Sequence, residues 1–565
     1  MKIRYLLLGM MFLLFFTRFV NLGWGLPYPL HPDERNMADA IMKLSCTQFD
    51  LNCFNPHFFA YGQLPLYLSY ALVSLYHLVL GRLSDPVSYF EAVFALRIFS
   101  AFASVGTVFY LVKTAFVLFP QWKKRPFLLL PFFIFSPGLI QYAHFGTTES
   151  LLMLFYTILT YLSVRLITHS LSPLRFTVFS GLVWGIALGT KVSALVFGGV
   201  PLLTIVLFFH LQKKRDLRLL FRTLLLLLVL AGFVFVISSP YNLLAWKEFQ
   251  GSMKYESEVG LGALSVFYTR QFDKTLPFIF QMLAVFPYAL GIPVLVCAVL
   301  SFFLLPKTPG LFVLRMATVI FIMSQMALYT KWTRFMAPVF PLMILLAVGM
   351  YTIKIRFRRK KWIQWGIIGF AGVSLLPGIA FLSIYLNSDV RYQASHWIYT
   401  NVRPSSLILS ETANVIDLPL PDPSWDIRVP SYHTISFNSY DLDTEVELQR
   451  QFENYVSVAD YIFVPSRRVF MNHTCLRPET SMNLTEFAIH SDGYCEYLET
   501  KYPRLNQFYQ QLFSGKLGFE LVATFTSFPK IELGGVTFFE FPDEQMEETG
   551  TVFDHPVVRI YKRVK

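Results

Sequence analysis

Charged residues are scarce in this chain. Only 15% of its 565 residues are Asp, Glu, Lys or Arg, whereas 54% are hydrophobic and 58 are Phe, and the mean hydropathy is +0.49. This balance is far too apolar for a soluble globular protein. Repeated apolar runs approach the ~20 residues that a bilayer span requires. The composition therefore excludes a soluble protein and predicts a membrane protein with many spans.

Nucleotide-binding and zinc-hydrolase motifs are also missing. The sequence has no Walker loop, no G-x-G-x-x-G after a strand and no H-E-x-x-H. One D-x-D triplet occurs at Asp441-Leu442-Asp443, a pattern that nucleotide-sugar transferases use to hold a metal ion. It lies in a polar loop and does not follow a buried strand, so we interpret it as a helix cap or a solvated loop.

A small-residue cleavage site is absent after the first apolar segment, which runs directly into Arg18 and Asn21. We therefore expect this segment to be retained as the first span and not removed as a signal peptide.

Basic residues are concentrated in six short segments, which hold 20 Lys or Arg in 54 residues, whereas the stretch 23–96 holds three in 74. The six segments are 1–4, 120–126, 165–175, 210–222, 306–315 and 353–361. This is the distribution of cytoplasmic loops in a membrane protein and not a nucleic-acid footprint. The net charge of +12 thus does not predict a nucleic-acid partner.

Eleven apolar segments place all six basic segments on the inner side. They are roughly 5–22, 97–119, 127–142, 148–165, 176–190, 193–209, 221–239, 277–304, 312–330, 334–352 and 363–386. The stretch 61–80 is apolar enough to span, but counting it would place the next five basic segments outside. We interpret it as a surface-lying or re-entrant helix, with a twelfth span as the alternative.

This topology predicts two domains in a multi-pass protein of the cell membrane. Residues 1–386 form an all-α membrane domain with a first external loop at 23–96, and residues 387–565 form an extracytoplasmic α/β domain. In the second domain, periodicity predicts helices at 394–401 and 503–513, strands at 407–410, 461–464, 519–525 and 557–561, and a long loop at 418–445.

The five cysteines agree with this placement. Cys46 and Cys53 lie in the first external loop, Cys475 and Cys495 lie in the C-terminal domain, and Cys297 lies within a span. Two external disulfides are predicted, with free buried thiols as the alternative.

The sequence Leu30-His31-Pro32-Asp33-Glu34-Arg35 follows the first span. Asp33 and Glu34 lie in a proline-bounded loop where a carboxylate can meet both water and lipid headgroups, as a general base acting on a lipid substrate requires. Two solvated loop acids are the alternative interpretation.

Further polar residues lie at the external ends of predicted spans. They are Arg97, His144, Glu149, Lys191, Tyr241, Lys331 and Arg334. Charge within a membrane is costly, so a one-sided set indicates a shared cavity, although any single member can also extend to the headgroup level. Cations could hold a lipid phosphate while a carboxylate takes the proton of an attacking hydroxyl, which is the chemistry of glycosyl transfer from a lipid-phosphate sugar.

Several short motifs occur in the order found in one enzyme superfamily. They are the Asp33-Glu34 loop, Leu96-Arg97-Ile98-Phe99-Ser100-Ala101-Phe102, His144-Phe145-Gly146-Thr147-Thr148-Glu149, Gly185-Ile186-Ala187-Leu188-Gly189-Thr190-Lys191 and Arg334-Phe335-Met336-Ala337-Pro338. The series resembles the protein O-mannosyltransferase and aminoarabinose transferase superfamily. The resemblance implies the C-type glycosyltransferase fold and a polyprenyl-phosphate sugar as donor.

The resemblance also implies roles for individual residues. Asp33 matches the catalytic acid and Arg97 a cation near the donor phosphate, while Lys191 and Arg334 match basic positions of the same cavity. Glu149 stands where many relatives have Asp, and Tyr241 lies in a Ser-Pro-Tyr stretch similar to that of bacterial members. The C-terminal domain does not resemble the β-trefoil of the eukaryotic mannosyltransferases, so a protein acceptor is not implied.

The sequence as a whole predicts an inverting, polyprenyl-phosphate-sugar-dependent glycosyltransferase acting at the outer membrane face on a hydroxyl of a glycan, lipid or protein. Asp33 is the expected base, Arg97 with Lys191 or Arg334 the phosphate site, and Glu34 and Glu149 the groups that orient the sugar or acceptor. His31, His57 and His144 could join these acids around a divalent metal, or each could be singly satisfied. A secondary transporter and a non-catalytic sugar-binding or assembly subunit are the alternatives.

Overall fold

The computed structural model of the chain describes residues 2–44, 51–124, 126–212, 216–352, 361–411, 416–421, 432–478 and 488–564. Within these ranges the chain is helical as far as residue 401, and the strands follow residue 406. The helices of the first part are Lys2–Phe19 (α1), Pro32–Met42 (α2), Leu64–Val79 (α3), Tyr89–Leu118 (α4), Leu130–Ile134 (α5), Pro137–His144 (α6), Glu149–Ile167 (α7), Pro173–Thr190 (α8), Gly199–Leu211 (α9), Leu217–Ser238 (α10), Tyr241–Leu244 (α11), Trp246–Leu261 (α12), Phe286–Leu290 (α13), Ile292–Leu304 (α14), Pro309–Met326 (α15), Thr333–Met336 (α16), Phe340–Met350 (α17), Lys361–Val373 (α18), Leu376–Phe381 (α19), Ser383–Leu386 (α20) and Val390–Asn401 (α21).

Seven helices of the described chain are long and apolar enough to cross a membrane, or eight if the pair Gln281–Leu290 and Ile292–Leu304, bent by 112°, is one span. The seven are Tyr89–Leu118, Glu149–Ile167, Val192–Leu211, Leu217–Ser238, Pro309–Met326, Thr333–Met350 and Ile368–Leu386. The predicted count of eleven is therefore not confirmed.

Two predicted spans show why the counts differ. The segment 127–142 is broken, because Pro137 holds Ser136 in an extended conformation between α5 and α6. The segment 5–22 becomes α1, which begins near Lys2 and Arg4 and ends beside Arg18, so three basic residues interrupt its apolar run. The stretch 61–80 becomes α3, whose 16 residues are fewer than the ~20 of a typical span.

The second part of the chain contains a five-stranded sheet of order β2-β1-β3-β7-β4 and a two-stranded hairpin, β5-β6. The strands are Leu407–Glu411 (β1), His433–Phe437 (β2), Tyr461–Val464 (β3), Phe519–Phe525 (β4), Lys530–Leu533 (β5), Val536–Glu540 (β6) and Val558–Arg563 (β7). β1 pairs parallel with β2 and with β3, whereas β7 pairs antiparallel with β3 and with β4. The four predicted strands are thus confirmed.

The predicted loop at 418–445 was wrong in part, because it contains β2 and a short 3-10 turn at Ser439–Asp441. β2 is the edge strand of the sheet and is mostly exposed. Its alternating Thr434 and Ser436 face solvent, so the strand carries little hydrophobic signal.

Among the described residues, the helices that follow β2 are Val446–Val458 (α22), Phe470–His473 (α23), Tyr494–Lys501 (α24) and Pro503–Phe513 (α25). The last has the predicted bounds, because its buried residues recur at helical spacing. The Asp443 carboxylate accepts hydrogen bonds from the backbone N–H groups of Arg504 and Leu505 at 2.7 and 3.3 Å, and Asp441 pairs with Arg270 at 3.1 Å. The D-x-D triplet therefore caps a helix and holds a loop.

One of the two predicted disulfides is confirmed, since Cys475 and Cys495 are bonded. Cys297 is a buried free thiol. Cys46 lies outside the described residues, so the pairing of Cys46 with Cys53 stays a prediction.

The segment that joins the hairpin to β7, residues 543–556, is called the strap. It is buried from Met546 onward and touches both parts of the chain. On the sheet side, Arg468 donates to the Glu548 carboxylate at 2.9 Å. On the helix side, Gln141 Nε2 donates to the carbonyl oxygen of Gly550 at 2.8 Å. The strap thus connects the sheet to the helices.

Candidate functional site

Four ionisable side chains from four separate segments meet at one end of the helices. Asp33 lies in the first turn of α2, Glu149 begins α7, Lys191 follows α8 and Arg334 lies in α16. We call these four residues the charged cluster.

The start of α2 is fixed by local chemistry. Pro32 occupies the first turn, and the His31 side chain accepts a hydrogen bond from the backbone N–H of Asp33 at 3.2 Å. Carboxylates are favoured in the first turn because the helix dipole is positive there. Asp33 and Glu34 are therefore first-turn helical residues and not the solvated loop acids of the alternative interpretation.

Asp33 and Arg334 form an ion pair through the carboxylate Oδ2 and the guanidinium Nη1. Burial alone would raise the pKa of Asp33, but the Arg334 guanidinium and the neighbouring His31 outweigh it and hold this pKa well below its usual range. The two side chains keep 16% and 19% of their surface exposed, so a ligand can reach the pair.

Lys191 and Glu149 form the second pair, with Nζ 3.4 Å from Oε1. Tyr61 connects the two pairs, because its ring lies 4.8 Å from Lys191 Nζ and its hydroxyl lies 3.5 Å from Arg334 Nη1. The 3.4 Å separation is long for a charge-assisted hydrogen bond, so the Lys191 ammonium is weakly held.

Arg97 and Glu34 form a separate, fully buried pair. The guanidinium donates from Nε and Nη2 to both Glu34 oxygens at 2.8 and 2.7 Å, and from Nη1 to the carbonyl oxygens of Leu22 and Trp24. Glu34 also accepts from the backbone N–H of Gly146. Four of the five donors of Arg97 are thus committed within the protein.

Arg334 differs from Arg97 in this respect. Among the described residues, its Nε has no hydrogen-bond partner, and its hydrogen bonds to Asp33 and Tyr61 both leave from Nη1. The face of the guanidinium formed by Nε and Nη2 is the one that binds phosphate or carboxylate in a bidentate manner.

The remaining predicted residues have structural partners. His144 lies between the carbonyl oxygens of Ile140 and Val20 at 2.8 and 2.9 Å and stacks on Tyr385. The backbone N–H of Tyr241 donates to the Gln63 side chain. Lys331 donates to the Tyr329 carbonyl at 2.7 Å, and burial lowers the pKa of its ammonium to about 8.

The described residues favour the second alternative for the three histidines, in which each is singly satisfied. No group of three or more His, Cys, Asp or Glu side chains among them is placed to hold a metal ion. His31 caps α2, and His57 pairs with Glu248 at 2.8 Å. Together with His144, each of the three candidate histidines is singly satisfied.

Three neighbours of the charged cluster were missed from the sequence: Tyr61, Tyr142 and Glu256. The Tyr142 hydroxyl is buried and has no hydrogen-bond partner among the described residues. Glu256, an exposed residue of α12, interacts electrostatically with Arg334, Lys191 and Asp33, and desolvation by the surrounding protein atoms raises its pKa. Tyr142 ends a predicted span, a position that many other residues share, whereas Tyr61 and Glu256 lie far from the predicted span ends and carry no sequence signal.

The strap reaches the residues next to both members of the Asp33–Arg334 pair. The Glu547 carboxylate accepts a hydrogen bond from the backbone N–H of Thr333 at 2.7 Å. The Phe553 ring lies 4.5 Å from the ring of His31. The strap therefore contacts the segment before each charged partner.

An Asp-His-Asp arrangement holds the far end of the strap. His555 is buried with Nδ1 at 2.6 Å from Asp554 and Nε2 at 3.0 Å from Asp543. Burial would lower the pKa of His555, but the two carboxylates raise it to about 10. Tyr385 and Gln141 donate to Asp554 at 3.0 and 3.1 Å, which joins this arrangement to the helices.

No protein-family model matches the sequence, and neither does any curated protein. Solved structures do match. ArnT from Cupriavidus metallidurans in the apo state is 14% identical, with 71% of this chain and 65% of that chain covered and a TM-score of 0.42. The same protein bound to undecaprenyl phosphate is 14% identical, with 70% and 72% covered and a TM-score of 0.44.

The oligosaccharyltransferase of Archaeoglobus fulgidus in the apo form is 11% identical, with 99% of this chain and 88% of that chain covered and a TM-score of 0.45. The chain spans 65% of the length of apo ArnT. At these low sequence identities, the matches indicate a similarity of fold alone.

Proposed function

We propose that the protein is an inverting glycosyltransferase that moves a sugar from a polyprenyl phosphate to an acceptor hydroxyl at the outer membrane face. The observation that carries the proposal is the charged cluster, which combines the carboxylates of Asp33 and Glu149 with two incompletely paired cations near the ends of candidate membrane helices. Such cations suit an anionic lipid headgroup. A carboxylate beside them suits a reaction in which a hydroxyl loses its proton.

Arg334 and Lys191 hold the donor phosphate in this proposal. The buried Nε of Arg334 has no hydrogen-bond partner among the described residues, and Lys191 Nζ lies 3.4 Å from Glu149. The phosphate gains negative charge as its bond to the anomeric carbon breaks, and cations already in place stabilise that charge. In this proposal Arg97 does not bind the phosphate. It positions the start of α2 instead, because its donors are bonded to Glu34 and to the carbonyl oxygens of Leu22 and Trp24.

Asp33 acts as the base once the donor is bound. In the structure Arg334 keeps the pKa of Asp33 low, which makes this carboxylate a weak base. A phosphate that engages Arg334 adds negative charge beside Asp33 and raises its pKa. The acceptor hydroxyl then loses its proton to Asp33 and attacks the anomeric carbon from the face opposite the phosphate, and polyprenyl phosphate leaves.

Glu149 and Glu256 complete the site by accepting hydrogen bonds from sugar or acceptor hydroxyls. Both lie within electrostatic range of Arg334. Glu34 serves with Arg97 to hold α2, so it supports the site without touching the substrate in this proposal.

The test is to incubate the purified protein in lipid vesicles with a panel of polyprenyl-phosphate sugars. Turnover is measured as the release of polyprenyl phosphate. Asp33→Asn keeps the size and hydrogen bonding of the side chain but removes the proton acceptor. We expect turnover to fall by about 10²-fold or more while donor binding persists.

Asp39→Asn is the matched control, since Asp39 is an exposed residue of the same helix. It should leave turnover unchanged. Near-normal turnover in Asp33→Asn would remove the base assignment, and no release from any donor by the wild-type protein would remove the proposed function.

A further inference from the structure

A two-stranded hairpin projects beside the last membrane helix. β5 and β6 pair antiparallel, and the turn between them consists of Gly534 and Gly535 with φ of +61° and +81°. Two consecutive residues with positive φ form the tight turn that matches the twist of paired strands. The hairpin is therefore a formed element, well defined by its own turn chemistry.

Every residue from Glu532 to Glu540 is exposed. Four of them are large apolar side chains: Leu533 is 76% exposed, Val536 59%, Phe538 59% and Phe539 55%. Exposed apolar groups clustered in this way mark an interaction surface. An isolated two-stranded hairpin is also marginally stable in water, so the hairpin needs a partner that covers it.

The hairpin begins at the end of a candidate span. The backbone N–H of Lys530 donates to the Ser383 hydroxyl at 3.1 Å, and β5 packs against α19. Both contacts belong to the span Ile368–Leu386, which ends just after Ser383. Ile379 and Leu386 of the same span are exposed. The apolar surface of the hairpin thus lies beside the exposed apolar residues of this candidate span.

We propose that the β5-β6 hairpin inserts into the headgroup region of the bilayer and anchors the sheet to the membrane surface. A bilayer surrounds an inserted element, which accounts for exposure along both strands. A partner protein or a second copy of the chain would cover one face and leave the other in water.

The depth of insertion follows from the backbone and the charges. The outer edges of a two-stranded hairpin carry unpaired N–H and C=O groups, which hydrocarbon does not tolerate. Lys530 and Glu532 form an ion pair at 2.6 Å along β5, and Glu532 lies one residue before Leu533 at the turn, so charge extends almost to the tip and suits the polar interface. Phe side chains are common on elements that lie at this level. The hairpin therefore belongs among the headgroups and the first part of the acyl chains.

The test uses Phe538→Trp in the full chain, reconstituted into phosphatidylcholine vesicles whose acyl chains carry bromine either near the headgroup or near the chain end. The emission of the nine native Trp residues is subtracted with the wild-type protein. We expect bromine near the headgroup to reduce the added emission about twofold, with less quenching by bromine near the chain end.

Val446→Trp is the matched control. Val446 is 79% exposed at the start of α22, a helix that packs against β1 of the five-stranded sheet. Its added emission should be quenched by aqueous iodide and not by bromine.

Two outcomes would overturn the proposal. Quenching of Trp at position 538 by iodide as effectively as in the control would mean that the hairpin faces water. Protection from both iodide and bromine would mean that protein covers it. Neither outcome depends on whether the protein transfers sugars.

Discussion

Replacing Arg97 by Met should destabilise the protein and spare the affinity for the proposed polyprenyl-phosphate donor. The buried Glu34 carboxylate would lose two charge-assisted hydrogen bonds of 2.8 and 2.7 Å. The carbonyl oxygens of Leu22 and Trp24 would lose their donor as well. Removing one member of a buried ion pair leaves an uncompensated charge and costs about 3–5 kcal/mol.

The assay is the midpoint of thermal unfolding in lipid nanodiscs, measured beside the Michaelis constant for the donor. We expect the midpoint to fall on the order of 5 °C in Arg97→Met. The double variant Glu34→Gln with Arg97→Met removes both charges, so it should recover about 2 kcal/mol or more of the loss.

The matched comparison is Arg334→Met, which removes an arginine that is less fully bonded and partly exposed. It should raise the Michaelis constant for the donor and lower turnover with a smaller change in the midpoint. If Arg97→Met keeps the wild-type midpoint and loses donor affinity, the reasoning is refuted and the phosphate belongs at Arg97.

Two further predictions concern the strap. The stability that charged His555 contributes is complete below its unfolded pKa of about 6.5 and is lost as pH rises through about 10. The wild-type unfolding midpoint should therefore fall over this alkaline window, and His555→Gln should flatten the fall; parallel pH profiles would contradict the assignment. Glu547→Ala should lower turnover about 10-fold because the N–H group of Thr333 loses its acceptor, and Glu547→Gln, which keeps a carbonyl oxygen, should restore most of it. Equal losses in both variants would show that Glu547 does not act through Thr333.

Local patterns in the sequence predicted the local elements of the sheet region well. The helix at 503–513 has the predicted bounds because Leu505, Phe508, Tyr509 and Leu512 are buried at helical spacing. The edge strand β2 was missed because edge strands in contact with solvent lack alternating burial. The predicted count of eleven spans is not confirmed among the described residues, in part because hydropathy does not register breaks such as the one at Pro137.

The candidate site was predictable as a set of positions at helix ends and not as a set of bonds. Antiparallel helices that are joined by short turns bring alternate ends together, which is why Asp33, Glu149, Lys191 and Arg334 could be grouped. The sequence could not predict that Arg97 is more fully hydrogen-bonded than Arg334. The carbonyl groups that accept from Arg97 lie about 75 residues away in the chain. The contacts of the strap have no sequence signal for the same reason.

The strap has a consequence for how the protein is made. Its contacts join residues far apart in the sequence, with Glu547 214 positions from Thr333 and Gly550 409 positions from Gln141. Such long-range contacts form late, after the loops that separate the partners have been closed. During synthesis the helices that carry Asp33 and Arg334 are translated well before the strap, which follows Arg334 in the chain by about 200 residues. The contacts of the strap with Thr333 and His31 can therefore form only after the strap has been translated, and a chain released before residue 543 would lack them.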